Sequence, residues 1–239
     1  MKVSLVIPTY NERTNIGTLI PHIYAVLEKT AHAFEIIIVD DDSPDGTWQV
    51  VQEVMREYPE LRMLRRTDER GLARAVLRGW QEAQGEILAV MDGDGQHPPE
   101  TLALLLETLD KQGADIAVAS RHVPGGGVSQ WNFWRRGVSW GATLAAAWLL
   151  PGLLATVRDP LSGYFALRRS VIEGCMLKPE GYKILLEVLA RGHYRAVVEV
   201  PYIFIERRQG RSKLGLRQYR EFVTHLMHLS WEQRLRRRT

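Results

Sequence analysis

The chain carries one cysteine, Cys175, so it forms no internal disulfide and offers no cysteine-based zinc centre. That usage fits a reducing compartment, where a lone thiol reads as a small apolar filler. No uninterrupted apolar run of about 18 residues occurs. The nearest approach, 138–157, is broken by Gly141, Pro151 and Gly152, with Trp140 and Thr143 interrupting it too. A spanning helix is therefore not expected, whereas a segment lying at a membrane surface is compatible with this pattern. Two glycine signatures are also missing. No Gly-x-Gly-x-x-Gly follows the first strand, which disfavours a dinucleotide oxidoreductase, and no Gly-x-x-x-x-Gly-Lys-Ser/Thr occurs, which argues against a P-loop NTPase. No secretory signal is visible, since Met1 and Lys2 lead directly into a strand-like 3–7. Repeats and low-complexity tracts are absent as well.

What is present suits one composite α/β domain. At 239 residues, 45% hydrophobic and 25% charged, the chain can bury a sizeable core. Strands read over 3–7, 35–39, 61–65, 86–91 and 115–119, and helices over 13–29, 46–57, 71–83 and 99–112. This alternation predicts a parallel sheet with polar residues gathered at the carboxyl ends of its strands. Beyond Ser120 the rhythm changes: a Pro124-Gly125-Gly126-Gly127 loop, a Trp-, Arg- and Leu-rich stretch, a helix near 181–191, a strand over 197–204 and an amphipathic helix over 216–235. The net charge is only +3, but Lys and Arg crowd into 207–220 and the chain closes with Arg234, Arg236, Arg237 and Arg238. Such clusters suit phosphate ligands, an anionic membrane or nucleic acid.

The most informative stretch is Asp92-Gly93-Asp94-Gly95-Gln96-His97-Pro98-Pro99-Glu100. An apolar strand runs into two aspartates one residue apart, and alternate residues of an extended chain point the same way. Two hard oxygen donors at the open end of a buried strand suit magnesium or manganese carrying diphosphate oxygens. The prolines then stop the strand and open a helix, and His97 reads as structural. At the first strand end, Ile7-Pro8-Thr9-Tyr10-Asn11-Glu12 leads into a helix that Asn11 or Thr14 is suited to cap, with Tyr10 placed to pack on a base or ribose. The second strand ends in Asp40, Asp41 and Asp42, followed by Ser43-Pro44-Asp45-Gly46-Thr47. Three consecutive carboxylates need something positive or hydrogen-donating between them, and a ribose diol or a base N–H pair would serve. Ser43 or Asp45 is suited to cap the next helix. His225 and His228, three apart on the last helix, read as a wet face.

These segments resemble the family 2 glycosyltransferases, whose nucleotide-binding α/β fold is called GT-A, and within them the dolichol- or polyprenol-phosphate mannosyltransferases. The likeness includes Glu69-Arg70-Gly71-Leu72-Ala73-Arg74-Ala75-Val76, Ser120-Arg121, Asp159-Pro160-Leu161-Ser162-Gly163-Tyr164-Phe165 and Phe204-x-x-Arg207-x-x-Gly210-x-Ser212-Lys213, in order along nearly the whole chain. The family pattern usually has Asp-Ala-Asp where Asp92-Gly93-Asp94 stands here; Gly removes only a methyl. The resemblance implies that Asp92, Asp94 and Gln96 hold Mg2+ or Mn2+, and that Pro8, Tyr10, Glu12, Val39, Asp41 and Asp42 line the nucleotide pocket. It places Asp94 and Arg207 at the reacting phosphates and Arg121, Arg135 and Ser139 near an acceptor phosphate. Ser212 and Lys213 extend that cationic and hydroxylic set, which suits a doubly charged phosphomonoester.

The implied organisation is a nucleotide-sugar-binding half (1–120), an acceptor half with an interfacial helix (121–215) and a basic amphipathic helix (216–239). The implied reaction is inverting transfer of mannose from GDP-mannose to a dolichyl or polyprenyl phosphate. Trp131, Phe133, Trp134, Trp140 and Trp148 beside Arg135 and Arg136 point to a headgroup boundary. The expected placement is peripheral, on the cytoplasmic face of a membrane, with no nucleic acid bound and a membrane-anchoring partner left open. Three rivals remain: a UDP-glucose-dependent glucosyl transfer to the same acceptor, a polysaccharide-type transfer that needs a carboxylate base near Asp159 or Glu187, and a non-catalytic nucleotide-sugar or nucleic-acid binder.

Overall fold

The computed structural model describes residues 1–129, Gly141, 157–178, 181–205 and 216–236. The five strands expected in the first half form as β1 (Lys2–Thr9), β2 (Ala33–Asp40), β3 (Leu61–Arg65), β4 (Ile87–Val90) and β5 (Ile116–Ser120). The helices between them are α1 (Arg13–Leu27), α2 (Thr47–Val54), α3 (Leu72–Glu82) and α4 (Glu100–Lys111). Later elements are β6 (Gly127–Val128), β7 (Phe165–Arg168), α5 (Ile184–Arg191), β8 (Val197–Pro201), β9 (Ile203–Phe204) and α6 (Leu216–Arg236).

One seven-stranded sheet runs in the order β3-β2-β1-β4-β7-β5-β8. Alternate residues of the central strands feed opposite faces, as the two-residue repeat of a strand requires. Leu5, Ile7, Ile36 and Ile38 pack with Ile16, Ile20, Leu102 and Leu105 of α1 and α4. Val6, Ile37 and Val39 pack on the other face with Val76 and Trp80 of α3, Leu185 of α5 and Leu226 of α6. The four residues of β4 are fully buried, which explains why that strand reads as a continuous apolar run.

Three expectations change. The sheet is mixed rather than parallel, because β7 inserts antiparallel between β4 and β5. The strand expected over 197–204 is two strands: β8 joins β5, while β9 pairs with β6 in a separate two-stranded sheet. Pro201, which lacks an N–H, marks the break. Finally, α6 presents Phe222, Leu226 and Leu229 to the core shared with Trp80 and Phe165. His225 turns inward with them, 1% exposed, and its Nε2 lies 2.8 Å from Glu187 Oε1; only His228 keeps the wet position expected of both.

Candidate active site

The carboxyl ends of β1, β2 and β4 open side by side, and Thr9 stands opposite Asp40 in the β1–β2 register. Asp40 is consumed by the fold. It accepts from Thr9 Oγ1 at 2.8 Å, from the Ser43 N–H at 2.8 Å and from Ser43 Oγ at 2.6 Å. Ser43 therefore does not cap α2. Asp45 accepts from the Thr47 N–H at 2.9 Å and from the Arg13 N–H at 3.1 Å, so one carboxylate serves the first turns of α2 and α1. The α1 N-cap is Glu12 rather than Asn11 or Thr14, and the Glu12 side chain itself makes no capping hydrogen bond. Asn11 and Asp42 adopt φ of 55° and 54°, a left-handed conformation these short polar residues tolerate better than most.

The next two acids are met by protein cations rather than by a ligand alone. Arg65 lies opposite Asp40 across β2–β3, which brings Arg65 and Arg66 against the following aspartates. Arg65 donates to Asp42 through Nε at 2.8 Å and also through Nη2. Arg66, only 5% exposed, donates through Nε at 2.7 Å to Asp41 Oδ1, and the Gly71 N–H reaches Asp41 Oδ2 at 2.7 Å. Gly71 has φ of +135°, a backbone that side-chain-bearing residues rarely adopt, so glycine lets this N–H turn toward Asp41. Burial pushes the Asp41 carboxyl above its ordinary range, against the Gly71 N–H and Arg66. Arg70 in the same loop stacks 5.1 Å from the Tyr10 ring. Glu12 is buried, its N–H donating to Thr47 Oγ1 at 2.9 Å and its carboxylate accepting from Asn15 at 2.8 Å. Pro8 is buried in β1, and the Val39 side chain lies wholly in the core. Val39 thus has its main chain, rather than its side chain, to offer a nucleotide.

Asp92 and Asp94 follow β4 directly, both part-exposed. The Gln96 N–H donates to Asp94 Oδ1 at 3.1 Å, and its side-chain amide donates to the Ile205 carbonyl at 2.9 Å, which leaves the Gln96 amide oxygen as the donor for an ion. His97 is structural, as expected. It is 2% exposed, stacks 4.9 Å from Tyr164, and its Nδ1 accepts the Asp92 N–H at 3.2 Å. Burial pushes its pKa down to about 4, so at neutral pH the ring is uncharged and able to accept that bond. A methyl at Gly93 would stand 3.0 Å from Thr9 Cγ2, so Thr9 occupies the room that the usual alanine would need. Two carboxylates and an amide oxygen would make an all-oxygen set, and no group of three or more His, Cys, Asp or Glu is arranged to hold a metal ion among the described residues. Such a set fits Mg2+ or Mn2+ completed by phosphate oxygens and water, and does not fit a fully caged zinc.

After β5, Arg121 donates to Asp159 through Nε at 2.8 Å and Nη2 at 2.7 Å, with its backbone N–H adding a third bond at 3.0 Å. A guanidinium carries five N–H donors, and Asp159 takes up two. Burial pushes Asp159 up, but the Arg121 bond and charge outweigh it and hold the carboxyl below its usual range. Glu187 is likewise fully buried, and His225 and Arg191 hold its carboxyl low against the opposing effect of burial. Lys183 was not singled out from the sequence, yet it is partly buried with its Nζ donating to the Leu161 carbonyl at 2.6 Å, where it feels the charges of Asp92 and Asp159. Arg65 and Arg66 were also missed, while Arg70 entered only as part of the 69–76 motif, without a role. Their signal was a cation pair ending the strand beside an acidic one. Arg135, Arg136, Ser139, Arg207, Ser212, Lys213 and the tryptophans 131, 134, 140 and 148 with Phe133 lie outside the described residues.

Comparison with known proteins gives this arrangement a family. The model for glycosyl transferase family 2 matches residues 4–174. The dolichol-phosphate mannosyltransferase of Pyrococcus furiosus is 47% identical over 97% of the chain, which spans 65% of that relative's length. The Saccharomyces cerevisiae protein of the same name is 35% identical over 96% of the chain and 87% of its own length. Among solved structures, mannosyl-3-phosphoglycerate synthase from Rubrobacter xylanophilus superposes with a TM-score of 0.70 at 23% identity, covering 100% of this chain and 75% of that one. A Pyrobaculum calidifontis mannosyltransferase in complex with GDP-Man and Mn2+ gives 0.63 at 21%, covering 98% and 64%. These structural likenesses support the GT-A fold; the family-model match and the sequence relatives establish that the chain belongs to glycosyl transferase family 2.

Proposed function

We propose that the chain transfers mannose from GDP-mannose to the phosphate of a dolichyl or polyprenyl phosphate, inverting the sugar carbon and releasing GDP. The relatives named dolichol-phosphate mannosyltransferase support this acceptor class. The observation that carries it is the condition of Asp159 and Glu187, near which a hydroxyl acceptor would need its carboxylate base. Both are buried, ion-paired and held below their usual pKa, which makes them poor proton acceptors. A phosphate acceptor needs no such base, because its second pKa is about 6.

Asp92, Asp94 and Gln96 would hold a divalent cation, and fold neighbours carry Mn2+ with GDP-Man or UDP-glucose. When bound, that ion offsets the charge growing on the departing diphosphate. Tyr10 and the Arg66-anchored Asp41 would receive the nucleoside. Arg121 and Arg207, with Arg135, Ser139, Ser212 and Lys213, would orient and neutralise the two phosphates, so that positioning supplies much of the rate. The test is transfer of radiolabelled sugar from GDP-mannose, and in parallel from UDP-glucose, to a short polyprenyl phosphate with and without Mn2+. Metal-dependent mannosyl lipid is expected. Glucosyl lipid would replace the donor, and no lipid product from either would overturn the reading.

A lipid acceptor calls for contact with a membrane, here peripheral and on the cytoplasmic face where the donor is supplied. No described helix is long and apolar enough to cross a bilayer. The inward face of α6 is committed to the core, but Val223, Met227 and Trp231 form an outward stripe, 48%, 58% and 65% exposed. Arg234 and Arg236 follow in sequence, and each near-surface arginine adds about 1 kcal/mol of attraction to anionic lipid. Trp231→Glu is expected to reduce flotation with anionic vesicles several-fold while leaving the fold unchanged. Equal flotation of variant and wild type would remove this stripe from the membrane contact.

A further inference from the structure

The turn between Asp159 and Tyr164 is fastened at every step. Asp159 is held by Arg121, the Leu161 carbonyl by Lys183 Nζ at 2.6 Å, and Ser162 Oγ donates to the Ala119 carbonyl at 2.7 Å. Gly163 then comes so close to the end of β4 that a Cβ there would stand 3.0 Å from Asp92 Oδ2 and 3.4 Å from Oδ1. The Asp92 carboxylate is thus bounded by backbone on one side and by the buried His97 ring on the other, 3.9 Å from Oδ2. Of the fastenings, Arg121–Asp159 and Ser162–Ala119 tie the turn to β5 and its end. The Asp159 N–H reaches Glu199 of β8 at 2.9 Å, and Lys183, at the start of α5, ties the turn to a helix.

We propose that Lys183 is a positioning residue for metal binding: by pinning the Leu161 carbonyl it seats the 159–164 turn against Asp92 and sets the direction in which that carboxylate faces. The inference rests on the reading that Asp92 and Asp94 bind a divalent cation, and it assigns the orientation of one ligand to a residue outside the ligand set. Groups that orient a metal ligand commonly change metal affinity by about 10- to 100-fold when removed. The sign of the effect separates this role from a bystander charge. A lysine that merely lay near the ion would repel it, so its loss would tighten binding. Loss of a positioning lysine weakens it.

The experiment is direct Mn2+ binding, read by electron paramagnetic resonance of free Mn2+ with and without GDP, on the wild type and on Lys183→Met, Lys183→Arg, Gly163→Ala and Asp94→Asn. Wild-type binding that Asp94→Asn loses establishes the metal site independently of Lys183. On that background Lys183→Met is expected to bind Mn2+ about 10-fold more weakly. Lys183→Arg, which keeps a donor for the Leu161 carbonyl, should recover part of the loss. Gly163→Ala should weaken binding without touching any charge, which also covers the case in which Lys183→Met does not fold. Unchanged or tighter Mn2+ binding in a folded Lys183→Met, or unchanged binding in Gly163→Ala, overturns the proposal. Unchanged binding in Asp94→Asn overturns the underlying metal assignment instead.

Discussion

Asp94→Asn is expected to lower metal-dependent sugar transfer by on the order of a hundredfold to a thousandfold, with the fold intact. Asn is nearly isosteric and keeps an oxygen that can accept the Gln96 N–H, so the turn after β4 should survive. What is lost is one negative charge facing the ion, and removing one preorganised electrostatic contact to a developing charge commonly costs a factor of this size. Initial rates across a Mn2+ titration, with thermal melting alongside, distinguish the two effects. Wild-type rates in a folded variant would refute the role assigned to Asp94.

The second large effect is on stability. Arg121 and Asp159 form a buried pair, their side chains 10% and 0% exposed. Removing one member of such a pair leaves an uncompensated charge and costs about 3–5 kcal/mol. For a chain of this size that corresponds to a fall in Tm of roughly 10 °C. Arg121→Ala and Asp159→Ala should each show it, and the double variant should recover part of the loss, since it strands no charge. Strictly additive losses would mean that the pair is not coupled. The pH dependence has a definite sign. Because the folded Asp159 carboxyl is held below its ordinary value of 3.8, its contribution is present above that pH and disappears as the pH falls through the lower folded value. In the folded Arg121→Ala variant, the acceptor KM should rise more than the donor KM; an equal rise would leave Arg121 a purely structural role.

The first half of the molecule was legible because its signals are local. An apolar run such as 87–90, buried on both faces, and a following aspartate pair identify a strand end whatever the rest of the chain does. The acidic turn after β4, the buried His97 and the helix opening after Pro98-Pro99 were readable for that reason. The partners of the acidic triplet were not. A neighbouring strand supplies Arg65 and Arg66, and only the β2–β3 register reveals that they face Asp42 and Asp41. β7 escaped because Phe-Ala-Leu-Arg is four residues long and three of the four favour helix. Lys183 escaped because its target is a main-chain carbonyl 22 residues away, which no side-chain pattern announces. In α6 the apolar spacing was visible, but spacing alone does not say whether a face meets lipid or protein. Here it meets protein through Phe222, Leu226 and Leu229.

The insertion of β7 bears on how the chain acquires this structure during synthesis. β5 has two neighbours in the sheet, β7 and β8, and both come from residues beyond 164. A ribosome-bound chain that has emerged only through residue 120 therefore holds β5 without a sheet partner and β4 with one bare edge. Unpaired apolar edges of this kind invite aggregation. The half that carries Asp92 and Asp94 is consequently not an autonomous module. Its last strand must wait for a segment roughly 45 residues downstream, a long loop closure of the kind that slows folding.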